Sequence, residues 1–153
     1  MRRTSAKIKI LEHKFLRRLK PVHKHFSKSV FHRLMKKSST LRSSLKKRSK
    51  EYNVTFNITL EEIREKFYRA YNRQCRYCNC KLTVKNMVCD HIKPISNGGN
   101  STSINLQMIC KRCNIRKGHL PHSDFIKILR WLSKQSKILS EYVLRKMSKG
   151  GKF

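Results

Sequence analysis

The chain is poor in acids, in glycine and proline, and in long apolar runs. Only 8 of its 153 residues are Asp or Glu, against 38 Lys and Arg, giving a formal net charge of +30. A chain that repels itself so strongly is expected to have a polyanionic partner, and nucleic acid fits better than an anionic membrane or an acidic protein. No uninterrupted apolar stretch exceeds three residues, which excludes a membrane span and a secretory hydrophobic region. Six cysteines without a secretion signal point to reduced thiols and metal binding in an intracellular protein, not to a disulfide framework. The length suits one domain with appendages and is too short for two full cores.

The charge is uneven. Residues 1–50 hold 18 Lys and Arg against one acid, Glu12, and contain neither cysteine nor glycine. Ile8, Leu11, Phe15 and Leu19 fall at helical spacing before Pro21, so a short amphipathic helix is expected there. From Lys36 to Lys50 the chain is mostly Ser, Lys and Arg, too little apolar surface to order itself in isolation. Residues 1–50 therefore read as a basic arm, disordered or helical on DNA. A solvated tail and an organellar transit peptide are the competing readings.

Order is expected from about Glu51. Val54, Phe56 and Ile58 alternate as in a short extended segment. Thr59 and Glu62 then have capping-box spacing, and the helix they open should run to about Asn72, burying Ile63, Phe67, Ala70 and Tyr71. After Cys75-x-x-Cys78, Leu82–Val84 and Asn86–Cys89 read as two short strands joined by a turn. Ser96-Asn-Gly-Gly-Asn-Ser101 is a loop signal. Ile104 to Ile109 leads to Cys110-x-x-Cys113, and Lys111 to Lys117 should form a helix closed by Gly118. Beyond Pro121, Ser123 is the expected N-cap for one long helix or two shorter ones. Their stripe (Phe125, Ile128, Leu129, Leu132, then Leu139, Tyr142, Val143, Met147) should cover the core or form a dimer surface, and 148–153 should fray. Monomer and homodimer stay open.

Two Cys-x-x-Cys knuckles can grip one tetrahedral zinc, because each two-residue spacer lets both thiolates reach the same ion. Cys75, Cys78, Cys110 and Cys113 are the expected ligands. Cys80 and Cys89 are surplus, although Cys80 could compete with Cys78. Between the knuckles lies Val88-Cys-Asp-His-Ile-Lys-Pro94, carrying a carboxylate and an imidazole, and Asn114 follows the last cysteine. A core of this size buries little apolar surface, so the zinc is expected to hold it together.

Cys75-x-x-Cys78, Asp90-His91-Ile-x-Pro94, Gly98-Gly99, Asn105-Leu106 and Cys110-x-x-Cys113-Asn114-x-x-Lys117-Gly118 together resemble the HNH endonucleases. The resemblance spans roughly 75–118. It implies an α+β fold, a small ββα-metal core stabilised by the four-cysteine zinc site and flanked by helices. The expected organisation is a basic arm over 1–50, a nuclease domain over 51–120 and a helical extension over 121–153. It further implies that His91 is the general base, that Asp90 and Asn114 hold one catalytic Mg²⁺ or Mn²⁺, and that Asn105 braces the loop presenting His91. The expected activity is hydrolysis of DNA phosphodiesters, leaving 5′-phosphate and 3′-hydroxyl ends, as in a homing or phage-type nuclease. Asn114 stands where many members have a final histidine. The alternatives are a noncatalytic zinc module bound to DNA or RNA, and a basic ribosome-associated protein.

Overall fold

The computed structural model describes residues 27–149. The helix expected around Ile8 to Leu19 and the tail beyond Lys149 lie outside them. The chain divides into two units, Met1–Phe31 and His32–Phe153. Of the first, the described residues form the opening turn of helix α1 (Lys28–Glu51), where Ser27 Oγ accepts from Val30 N at 3.3 Å.

Within the second unit, α1 is the main departure from expectation, since order begins well before Glu51. Its composition looks incapable of packing, yet Leu34, Ser38, Leu45 and Ser49 recur on one face and are buried. Two of these are serines, small enough for a close approach, and both are satisfied. Ser38 Oγ donates to Leu34 O at 2.8 Å and Ser49 Oγ to Ser101 Oγ at 2.7 Å. Lys37 Nζ adds bonds to Val84 O (2.6 Å) and Met87 O (3.0 Å). Tertiary anchoring, not intrinsic propensity, orders this segment.

Strand β1 (Phe56–Asn57) follows, then α2 (Leu60–Ala70), opened by the capping box of Thr59 and Glu62. Helix α2 buries Ile63, Phe67 and Tyr68, so Tyr68 takes the place expected of Ala70 and Tyr71, which are half-buried. The next departure is local. Leu82–Val84 is not a strand, although Leu82 and Val84 are buried. Asn86 folds the backbone into a turn instead, accepting from Thr83 N at 2.8 Å and donating to Lys81 O at 2.9 Å.

The sheet at the centre pairs β2 (Met87–His91) antiparallel with a strand late in the sequence, β4 (Leu106–Cys110), from Met87↔Cys110 to His91↔Leu106. Between them lie a 3-10 turn (Ile95–Asn97) and β3 (Ser101–Thr102), which pairs parallel with β1. Gly99 packs so closely on the Lys93 carbonyl that a Cβ there would collide with backbone. Helix α3 (Lys111–Lys117) starts directly from β4, with Cys110 as N-cap. Strand, strand and helix therefore share one continuous frame.

Two helices complete the described residues, α4 (His122–Leu132) and α5 (Lys137–Ser148). Pro121 rather than Ser123 precedes the first, and Ser123 Oγ turns to Asp124. Ser136 caps the second through Leu139 N at 3.3 Å. The expected apolar stripe is buried at Phe125 and Leu132, but α5 buries no residue, and Leu139 and Tyr142 are exposed. No helix among the described residues is long and apolar enough to cross a membrane.

Candidate active site and metal centre

The four expected cysteines converge. The sulfurs of Cys75, Cys78, Cys110 and Cys113 all lie within 4.8 Å of one another, with Cys78 and Cys110 3.6 Å apart. Zn–S bonds of about 2.3 Å arranged tetrahedrally require sulfurs just under ~4 Å apart, so the cluster fits a single ion. Asn79, with φ 56, closes the first knuckle, and its N donates to Cys75 O at 2.9 Å. Cys80 is not part of the group. A hydrogen bond from Cys113 and others from backbone N–H groups hold the Cys75 thiol down at about 4, while Cys113 is pushed up. Such a cluster readily gives up protons to a cation.

Asp90 and His91 are neighbours on β2, and the alternation of a strand sends their side chains to opposite faces. Asp90 faces α3. Its residue is 8% exposed, and Lys117 Nζ approaches both carboxylate oxygens, at 3.2 and 3.1 Å. Lys117, itself 1% exposed, spends a further donor on His91 O at 2.8 Å. Gln107, the cross-strand partner of Asp90, donates to Oδ2 at 2.7 Å. Burial raises the Asp90 carboxyl above its usual range, opposed by the Gln107 bond and the Lys117 charge.

This network continues outward. Gln107 Nε2 also reaches Tyr77 OH at 2.8 Å, and Tyr77 OH meets His122 Nδ1 at 2.7 Å. Arg76 holds the other end of the Gln107 amide at 2.9 Å. Gln107, Tyr77 and His122 were not among the site residues expected from sequence, and Lys117, a motif residue expected on a solvated helix face or on a flanking phosphate, is instead buried against Asp90. Gln107 was the findable one: it is the sole polar residue in Leu106–Cys110, and a polar side chain in a buried strand needs a partner.

His91 faces α1. Its residue is 6% exposed, and Nε2 lies 3.0 Å from Ser101 Oγ, which in turn accepts from Ser49 of α1. Burial first, then the charges of Arg48 and Lys117, lower its pKa to about 4, so the ring is neutral at pH 7. Arg48 carries a buried Nε with no hydrogen-bond partner among the described residues. Such a donor is costly unless an acceptor arrives.

Asn105 makes backbone bonds throughout the loop after His91. Its Oδ1 accepts from Lys93 N at 2.8 Å, and its Nδ2 donates to Lys93 O and Asn100 O at 3.0 and 2.8 Å. Its own carbonyl receives Ile92 N at 2.8 Å. Asn114 sits on α3 one turn before Lys117, hence on the face toward Asp90. A carboxylate and an amide oxygen are the donor types that suit a hard divalent cation, although both Asp90 oxygens here meet Lys117. His119 is engaged elsewhere, with Nδ1 3.0 Å from Ser96 Oγ.

Residues 75–120 match the family model for the HNH endonucleases. The chain is also 40% identical over 57 residues to a CRISPR-associated endonuclease Cas9 of Corynebacterium diphtheriae, a match covering 37% of this chain and 5% of that protein. Two antiparallel strands run into a short helix around a four-cysteine cluster, which is the ββα arrangement implied by the sequence motifs. Residues 75–120 are thus an HNH endonuclease domain carrying a four-cysteine cluster.

Proposed function

We propose that this protein is a metal-dependent endonuclease that hydrolyses DNA phosphodiester bonds, with zinc in the four-cysteine cluster. The observation that carries the reading is the end of β2. There the Asp90 carboxylate faces α3, the helix that carries Asn114, and the neutral, buried His91 imidazole lies on the other face of the same strand end, in a chain of net charge +30. A Mg²⁺ or Mn²⁺ ion between Asp90 and Asn114 would supply the positive charge that steadies the phosphate and the departing 3′ oxygen.

The remaining work falls to side chains. Ser101 Oγ has two lone pairs. Ser49 donates to one, and in the tautomer that suits a general base the other accepts from His91 Nε2–H, with Nδ1 then the basic nitrogen. That nitrogen takes the proton of the attacking water. Arg48 places its positive charge near His91, which favours a phosphate at this end of the strand. Asn105 fixes the loop, and so the angle of the His91 ring. The basic segment 1–50 adds affinity along the backbone, followed by the nuclease domain over 51–120 and the helical extension over 121–153. Cysteines spaced as metal ligands rather than as a disulfide framework support an intracellular setting.

A second reading has its own support. Lys117 neutralises the carboxylate that would hold the metal, and His91 is almost fully covered, as suits a zinc module that binds nucleic acid without cutting. Incubation of the purified chain with supercoiled plasmid separates the two. Nicked or linear product with Mg²⁺ or Mn²⁺ and none with either omitted is expected of the nuclease. His91→Ala should bind DNA but leave the plasmid intact, and undiminished nicking by that variant would overturn the assignment.

A further inference from the structure

On the same side of β2 as His91, a cavity of about 690 Å³ opens between α1 and the start of the strand. That volume is within the range of small-molecule clefts. Its walls have two chemistries. Leu41, Phe67, Met87 and Val88 give it an apolar floor, while Arg33, Lys36 and Lys85 stand exposed at the rim. No acid lines it. None of the three rim cations forms an ion pair among the described residues. Lys37, the fourth cation, is spent on the carbonyls of Val84 and Met87 and so belongs to the wall.

An apolar slot under a row of free cations fits a ligand with a flat ring at one end and a phosphate at the other. We propose that this cavity is a nucleotide subsite, receiving one unstacked base of a nucleic-acid strand while Arg33, Lys36 and Lys85 hold the adjoining phosphates. The proposal rests on the reading that the chain acts on nucleic acid, and it narrows the substrate to a strand that can splay a base. Placement supports it. Cys89, in the cavity wall, precedes His91 by two residues on the same strand face, roughly 7 Å away. Helix α1 accompanies that face, from Lys37 beside Met87 to Ser49 beside Ser101 and His91. A strand laid along α1 would therefore run from the cavity toward the end of β2 that carries His91.

The test uses the full zinc-loaded chain carrying His91→Ala, without Mg²⁺ or Mn²⁺, so that cleavage plays no part. Short single-stranded oligodeoxynucleotides are prepared with one 2-aminopurine, or one abasic residue, at each position in turn. The fluorophore should brighten at one position or two adjacent ones, and an abasic residue there should weaken binding about tenfold, as loss of a seated base does. Leu41→Trp, filling the cavity, and Ser44→Trp, plugging its exposed mouth, should each abolish both effects while zinc content and helical signal stay unchanged. Equal affinity for every abasic oligonucleotide, or the same pattern in both Trp variants, overturns the proposal. So does displacement of the oligonucleotide by phosphatidylglycerol vesicles that Ser44→Trp prevents. Plasmid nicking by the unmodified chain separates the two levels: nicking with a uniform abasic response sinks the subsite alone, whereas neither binding nor nicking sinks both.

Discussion

Replacing Lys117 by Met would strand the Asp90 carboxylate. The Lys117 side chain is 0% exposed and that of Asp90 8%, so water cannot take over the solvation that the ammonium supplies. Breaking one side of such a buried pair costs about 3–5 kcal/mol, whereas replacing both partners by neutral groups of similar shape is near neutral. Small domains are stable by only ~5–15 kcal/mol, so the single substitution removes much of the margin. Gln107 still donates to Oδ2 at 2.7 Å, which places the expected loss toward the lower end. The pH dependence follows from the direction of the Asp90 shift. A raised carboxyl contributes stability that is fully present below its unfolded value of 3.8 and is lost as pH rises through the folded value. Without Lys117 the folded value moves further up, so the deficit of Lys117→Met should widen as pH rises. The assay is urea denaturation of the full chain, zinc-saturated at neutral pH, for Lys117→Met, Asp90→Asn and the double variant. The double variant should recover at least ~2 kcal/mol relative to the sum of the singles. If the two single losses simply add, the pair carries no coupling and the electrostatic account of this site is wrong.

Two further outcomes are expected. By NMR, the His91 ring should stay neutral down to about pH 5 and titrate near the lowered value of about 4; the stability it contributes is then present above its unfolded value of 6.5 and is lost as pH falls through that interval. A midpoint at 6.5 would mean that the ring is not held beneath α1 in solution. Cys113→Ser should abolish stoichiometric zinc and the folded state together, since a structural zinc is worth about 10–16 kcal/mol in apparent binding energy. A folded Cys113→Ser chain without metal, seen by circular dichroism and elemental analysis, would show that the core stands without the cluster.

Much of the site was legible because its signals are local. Paired cysteines two residues apart, an Asp-His pair before a proline and a helix ending at Gly118 are short-range statements, and α3 and the cluster stand where those statements put them. What escaped is nonlocal. Helix α1 looked unable to fold because its composition was weighed alone, but its four buried side chains within the larger unit have the rest of that unit to rest on. The false strand at Leu82–Val84 had the right alternation and lost to one side chain, Asn86, which claims the backbone groups a ladder would need. Gln107 joins Asp90 only because the register sets them opposite, and a register across an intervening loop has no short-range signature.

Cys110 explains why the cluster and the proposed chemistry belong to one device. It is the last residue of β4, the N-cap of α3 through Cys113 N at 3.4 Å, and one of the four converging thiols. An ion there would fix the angle at which α3 leaves the sheet, and α3 carries Asn114 and Lys117 toward Asp90. The same strand places Gln107 three residues before Cys110, so the partners of the carboxylate hang from both sides of a single thiolate ligand. Two strands and a two-turn helix have too little apolar contact to hold that angle alone. Oxygen donors need placing to within about 0.5 Å to grip a small hard cation. Four sulfur bonds to one ion would supply that rigidity where hydrophobic packing in so short a segment cannot.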